Sequence, residues 1–346
     1  MNRDGTESEK IILAGDIGAT KTNLAVYPMA GQRLSALLEK KYRNAEFASL
    51  GEIVADFLAR LAETPASCCF GIAGPVTDGR VAMTNRDWVV DVRQLKAEFG
   101  FSRVELINDL AATALGTTVL EEDELLTINT GRSQPGGNIG VIAPGTGLGE
   151  AFLTSRNDGI RAHASEGGHA SFAPRNEQQV ALWRYMRQQY EHVSCELVCS
   201  GRALPELYGF LRAGGAYDAE RLDNELAQAD SAVPHIISAA LKYGESRSPH
   251  YELAGAVVEL FLDILAAEAA NLALKILAVG GIFIGGGIMP RIVPLFDGAR
   301  FMDIFCRGVY ADLLSAIPLH IIVNPKTALL GAAVRAGWID QSAISA

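Results

Sequence analysis

Ile11-Ile12-Leu13-Ala14-Gly15-Asp16-Ile17-Gly18-Ala19-Thr20 and Ile139-Gly140-Val141-Ile142-Ala143-Pro144-Gly145-Thr146-Gly147 decide the fold, because each is an apolar run entering a turn that carries glycine and threonine. Residues 23–27 and 150–154, which follow, are short, apolar and bounded by turn residues, so each reads as a second strand. The chain therefore carries a glycine-turned hairpin twice. Glycine lets backbone N–H groups approach an anion closely, and a threonine hydroxyl adds a donor, so two such turns suit the phosphates of one nucleotide. Taken singly, either turn also reads as an ordinary hairpin with no ligand. Residues 15–22 nearly match a P-loop, but Thr20 stands where that pattern needs glycine, and residues 22–27 read as strand where a P-loop opens a helix.

At 346 residues the chain is longer than one hydrophobic core usually serves, and two domains are expected. Apolar residues make up 49% of it, enough to fill both cores. The net charge of -10 and the pI near 5.2, with charges spread rather than blocked, argue against a nucleic-acid surface. The five cysteines, Cys68, Cys69, Cys195, Cys199 and Cys306, are odd in number and stand in apolar or helical stretches, unlike a disulfide framework. They read as small core residues in a reducing, cytoplasmic setting, and no paired C-x-x-C marks structural zinc. Residues 1–10 are polar, with no apolar run behind them, and read as a frayed tail rather than a signal peptide or anchor. The longest apolar stretch, 257–287, is broken by Glu259, Asp263, Glu268, Asn271 and Lys275, so it reads as a buried helix followed by a strand, not a membrane span.

Outward from the first hairpin, Lys40-Lys41-Tyr42 makes a third strand. Ile53, Val54, Phe57, Leu58 and Leu61 then mark one face of a helix over 50–61. Residues 67–73 read as a strand ending at Gly74-Pro75, 81–83 as a short strand, 92–99 as a helix, and 104–107 as a strand that stops at Asn108-Asp109. This order makes a mixed sheet flanked by helices. A second lobe begins near residue 120, repeats the hairpin, and inserts a helical segment over about 177–243. A helix over 253–278, a strand at 281–284 ending in Gly285-Gly286-Gly287, and a closing helix over 328–337 complete the chain. The expected domains are 11–119 with 325–346, and 120–324, meeting along a cleft and joined by a hinge, since no low-complexity linker separates them.

Asp109 is the strongest single candidate for chemistry, because it ends a buried strand and open α/β sheets place ligands at the carboxyl ends of their strands. A carboxylate there can take the proton of an attacking hydroxyl, and the Asn108 amide can orient the same substrate. The alternative is that Asp109 caps the helix that follows. In Glu166-Gly167-Gly168-His169 two glycines keep a loop open while a carboxylate and an imidazole stand three residues apart. Polar groups converging in this way suit a hydroxyl-rich sugar, whereas Glu-x-x-His lacks the second histidine of a helical zinc motif. Glu196 adds a carboxylate from a helix start, or is a solvated or capping acid. Asp16, ending the first strand beside a phosphate turn, suits an anchor for Mg²⁺ or its waters; the alternative is an Asx-turn. Gly285, Gly286 and Gly287 would let an adenine ring or ribose lie against the backbone, although the Rossmann spacing is absent.

These segments, together with Ala82-Met83-Thr84-Asn85, Leu106-Ile107-Asn108-Asp109, Gly145-Thr146-Gly147-Leu148-Gly149, Phe172-Ala173-Pro174, His192-Val193-Ser194 and Ser200-Gly201, occur in the order seen in bacterial glucokinases, and the resemblance runs from about residue 11 to 340. It implies an α/β, two-lobed actin-like (duplicated ribonuclease-H-like) fold with an interlobe cleft, and ATP-dependent phosphorylation of glucose at its 6-hydroxyl. Asp109 would be the base, with Asn108, Asp109, Glu166, His169 and Glu196 on the sugar. Asp16 with Gly15, Ile17, Gly18, Ala19, Thr20, Gly145, Thr146, Gly147, Gly285, Gly286 and Gly287 would handle ATP and Mg²⁺. The family's first turn usually reads Gly-Gly-Thr-Asn; here Ala19 bars a glycine-only conformation if its φ is positive, and Lys21 adds a charge. The related ROK sugar kinases carry a cysteine-rich zinc segment after their Glu-x-Gly-His motif, and residues 170–184 hold no cysteine, which favours the glucokinase branch. The expected assembly is a cytoplasmic homodimer with no nucleic-acid or membrane partner. Alternatives left open are a kinase for another hexose or an N-acetylhexosamine, and a sugar-sensing protein of the same fold without turnover.

Overall fold

The computed structural model describes residues 10–31, 33–83, 87–156, 159–337 and 339–340, the side chains of Arg156, Ile339 and Asp340 excepted. Thr84 and Asn85 of the motif above, and residues 1–9 of the expected tail, lie outside the described residues. The chain divides into two compact units, one of Met1–Glu122, Ala162–Ala164 and Asn324–Ala346, the other of Asp123–Arg161 and Ser165–Val323.

In the first unit the order is β1 (Ile11–Ile17), β2 (Lys21–Pro28), β3 (Ala30–Gly31), β4 (Leu38–Arg43), α1 (Leu50–Leu58), β5 (Ser67–Ile72), β6 (Arg80–Ala82), β7 (Val89–Asp91), α2 (Val92–Phe99), β8 (Arg103–Asn108) and α3 (Asp109–Gly116). The second unit contributes β9 (Leu125–Asn129), β10 (Ile139–Pro144), β11 (Leu148–Arg156), β12 (Gly159–Ser165), α4 (Glu177–Met186), α5 (Ala203–Ala213), α6 (Glu220–Ala227), α7 (Ala232–Ser246), α8 (Glu252–Ile276), β13 (Gly281–Ile284), α9 (Met289–Ile292), α10 (Gly298–Phe305), α11 (Ala311–Ser315) and β14 (Leu319–Ile322). The chain then returns to the first unit with α12 (Thr327–Ala336) and β15 (Ile339–Asp340).

The first sheet runs β4-β2-β1-β5-β8, with β1 antiparallel to β2 and parallel to β5. The second runs β12-β11-β10-β13-β14-β9, with β10 antiparallel to β11 and parallel to β13. Leaving aside the added edge strand β9, both sheets place their own strands in the order third, second, first, fourth, fifth. The doubled hairpin is thus the visible part of a doubled sheet. β12 and β9 were not expected from the sequence; no residue of either is buried.

Period-two alternation assigns the faces of the first sheet. Leu13 and Ile17 of β1 pack with Ile53 and Phe57 of α1, whereas Ile12 and Ala14 pack with Leu329, Ala332 and Ala333 of α12. Asp16, an even position on β1, is directed to the α12 face. There α3 lies close on α12 through glycines: a Cβ on Gly331 would fall 1.7 Å from the Ala112 carbonyl oxygen, and one on Gly116 would fall 2.0 Å from that of Thr327. The second unit is built around α8, which is buried on nearly every side and joins the helical segment to the sheet. No helix among the described residues is long and apolar enough to cross a membrane.

Candidate active site

The register of β1, β5 and β8 brings the strand ends of the first unit together: Asp16 lies opposite Gly71, and Ile72 opposite Asn108. Asn108 is the N-cap of α3, its Oδ1 accepting from the N–H groups of Leu110 (2.9 Å) and Ala111 (3.2 Å). The cap is therefore Asn108, one residue earlier than the alternative reading placed it, and Asp109 is the first helical residue. The Asn108 Nδ2 donates to the Gly74 carbonyl at 3.4 Å, a long bond. Burial, and then the nearby Asp109 carboxylate, push the Asp16 acid up to about 6 against the opposing pull of Lys41. Two carboxyl groups that repel each other in a desolvated place suit a divalent cation that takes its remaining ligands from phosphate and water. Among the described residues no group of three or more His, Cys, Asp or Glu could hold a metal ion.

The first turn is tight, with the Gly18 N–H donating to the Lys21 carbonyl at 2.9 Å, and this uses the donor an Asx-turn at Asp16 would need. Ala19 is not among the residues of positive φ, so the alanine fits this turn without strain. Gly15 is buried in mid-strand, where a Cβ would fall 2.5 Å from Phe70, and the Ile17 side chain is in the core. Sequence reasoning missed Asn44. Wholly buried, it accepts from Thr22 Oγ1 and donates through Nδ2 to the Gly18 carbonyl, both at 2.8 Å, while its N–H donates to the Thr20 carbonyl at 3.0 Å. A lone asparagine 26 residues from the carbonyl it holds gives no pattern to find.

In the second unit the Gly145 N–H donates to the Gly147 carbonyl and the Gly201 N–H to that of Gly145, both at 2.8 Å, leaving Thr146 exposed at the tip as Thr20 is in the first turn. The Gly285 N–H donates to the Ile142 carbonyl at 2.8 Å. Gly286 has φ +85°, and a Cβ on it would fall 2.2 Å from the Pro144 oxygen, so only glycine fits there. Gly287 faces open space.

Glu166 and His169 are exposed side chains three residues apart at a single 3₁₀ turn, Gly167–His169, which puts them on one face. The two glycines between them have a different cause from an open loop: they let the turn lie flat on β11. A Cβ on Gly168 would fall 2.0 Å from the Leu148 oxygen, and one on Gly167 would fall 1.9 Å from Glu150 Oε2. Residues 170–172 pair with 193–195, which carries Glu196 to the same place; its N–H donates to the Gly168 carbonyl at 2.8 Å. Glu196 stands in a turn seven residues before α5, not at a helix start. Its Oε2 accepts from the Leu148 N–H at 3.0 Å, and a Cβ on Gly147 would fall 2.3 Å from that oxygen. One residue thus joins the two turns, its carboxylate on the Gly145-Thr146-Gly147 side and its backbone N–H on the Glu166–His169 side. Cys195 and Cys199 are buried, free thiols.

A family model described as Glucokinase matches residues 13–338. A glucokinase of Nostoc sp. is 37% identical over 340 residues, covering 94% of this chain and 98% of that protein. The crystal structure of a glucokinase from an Antarctic psychrotroph superposes with a TM-score of 0.83 at 30% identity, over 94% of this chain and 98% of that one. A ROK family glucokinase from Streptomyces griseus, solved with glucose and AMPPNP, shares the fold at a TM-score of 0.62 and 21% identity, over 94% and 99% of the two chains. The two duplicated sheets are those of the two-lobed, actin-like sugar-kinase fold, and the chain belongs to the glucokinase family.

Proposed function

We propose that this enzyme transfers the γ-phosphoryl group of ATP to the 6-hydroxyl of D-glucose, with Asp109 as the base. The observation that carries the reading is the junction at Glu196, one residue whose carboxylate accepts from Leu148 beside the glycine-threonine turn and whose backbone N–H holds the Glu166–His169 turn through Gly168. Phosphoryl transfer needs alignment, charge neutralisation and exclusion of water more than covalent help. Asp109 accepts the hydroxyl proton as attack begins. Asn108, whose Oδ1 is committed to the α3 cap, serves the sugar through Nδ2. Glu166, His169 and Glu196 pair the remaining hydroxyls, each of which needs a partner once buried. Backbone N–H groups of the two turns bear the phosphates, and Gly285, Gly286 and Gly287 leave room for the nucleoside. Bound Mg²⁺, held through Asp16, supplies charge neutralisation on the phosphates. A cytoplasmic homodimer completes the reading, and sedimentation velocity measures the assembly.

The test is ADP release across a panel of sugars. Glucose is expected to be turned over far better than N-acetylglucosamine or fructose, because a site built to pair hydroxyls rejects analogues that leave its groups unsatisfied. N-acetylglucosamine as the best acceptor, or no turnover with any sugar, would replace this reading.

A further inference from the structure

Glu150 follows the Gly145-Thr146-Gly147 turn on β11 and is buried, with 2% of its surface exposed. Its Oε1 has no hydrogen-bond partner among the described residues. Its Oε2 occupies the space where a side chain on Gly167 would be, since a Cβ there would fall 1.9 Å away. From α8 it is faced by Glu268, itself 4% exposed, whose carboxylate accepts from Asn271 Nδ2 (2.8 Å), Lys275 Nζ (3.3 Å) and Cys195 Sγ (3.2 Å). Cys195 and Cys199 complete the charged and titratable surroundings, and their thiols are held up by burial first and by these two carboxylates in part. Burial, then Glu268, push the Glu150 acid up to about 7, with Lys275 pulling the other way.

A buried polar atom without a partner is costly, and an apolar side chain would fill the same space at less cost. The carboxyl group lies under the one turn that carries Glu166 and His169. We propose that Glu150 is a positioning residue for the sugar, acting on Glu166 and His169 through the backbone of Gly167, which rests on its carboxyl group. As a neutral acid it supports the turn. Once ionised, it sets a second negative charge against Glu268 beneath Gly167, and the turn loses its seat. Proton and sugar are then linked reciprocally, so glucose affinity falls as pH rises through about 7 and glucose binding draws in a proton near that pH. The inference rests on the reading of Glu166 and His169 as sugar ligands.

Calorimetric titration of the full chain with glucose between pH 6 and pH 8.5, in two buffers of different ionisation enthalpy, tests it. For the unaltered chain the dissociation constant is expected to rise at least about fivefold across that range, with net proton uptake near neutrality. Glu150→Gln, which keeps the shape and removes the charge, should hold the low-pH affinity throughout and abolish the uptake. Glu150→Val should raise KM for glucose at every pH and leave KM for ATP unchanged, with melting temperature confirming that it folds. A pH trend or proton uptake that survives Glu150→Gln, or a Glu150→Val variant with unchanged KM for glucose, overturns the role of Glu150 alone. An unaltered chain that binds no glucose at any pH overturns it together with the proposed function.

Discussion

Asp109 is the first residue of a helix already capped by Asn108, so exchanging its carboxylate for an amide alters charge and leaves the cap in place. Asp109→Asn is expected to fold and bind glucose while kcat falls by on the order of 10² or more, the scale of a lost general base. Near-normal kcat would remove Asp109 from that role. Asp16 carries the opposite tension, function at the expense of stability. Its acid lies at about 6 in the folded protein against an ordinary 3.8, so between those values the fold retains a proton that the unfolded chain has released. The contribution of Asp16 to stability in metal-free buffer is then most favourable below about pH 4, declines as pH rises to about 6, and is constant above it. Asp16→Asn should therefore raise stability at pH 7 by about 1–3 kcal/mol in urea unfolding, while turnover with Mg-ATP falls. A destabilised Asp16→Asn protein would contradict this. Glu166, exposed and apart from the packing, gives a cleaner test of the sugar turn: Glu166→Ala should weaken glucose binding by about 1–3 kcal/mol and leave KM for ATP nearly unchanged.

At the scale of elements, α3 and α12 decide where Asp109 stands. Gly331 and Gly116 let the two backbones touch, and no small shift makes room for a methyl group 1.7 Å from the Ala112 oxygen. Gly331→Ala is expected to cost about 1–3 kcal/mol in stability and to lower kcat more than it raises KM for glucose, because it displaces the helix that holds the base. A variant of normal melting temperature and normal kcat would show that this contact does not position Asp109. Such packing explains what the sequence made legible. The hairpins, the helix at 92–99 and the strand at 281–284 announce themselves through local periodicity and turn residues. The reason for the glycines in Glu166-Gly167-Gly168-His169 does not, because Leu148 and Glu150 press on them from β11. Asn44 and the Glu150 and Glu268 pair are likewise set by partners distant in sequence, and β12 alternates through small and exposed residues that leave only a weak signal.

At the scale of the whole molecule, the two units repeat one strand order, and the residues of the proposed site are shared between them. The first carries Asp16 and Asp109, and the second carries Glu166, His169 and Glu196. The doubling was legible because the hairpin turn is a local pattern that occurs twice, whereas the roles proposed for the site residues come from motif order alone. Under the proposed function glucose draws on both sets, so the unfolding of both units should depend on it, and glucose at about one hundred times its dissociation constant should stabilise the whole chain by about 2.7 kcal/mol in a single transition. A shift confined to one of two transitions would place the sugar on one unit alone. The central claim is phosphorylation of glucose with Asp109 as base, and the most direct measurement is ADP release with saturating Mg-ATP and glucose, comparing the unaltered chain with Asp109→Asn. The account predicts glucose-dependent release that Asp109→Asn lowers by on the order of 10² with glucose still bound; release that ignores glucose, or that the substitution leaves intact, would contradict it.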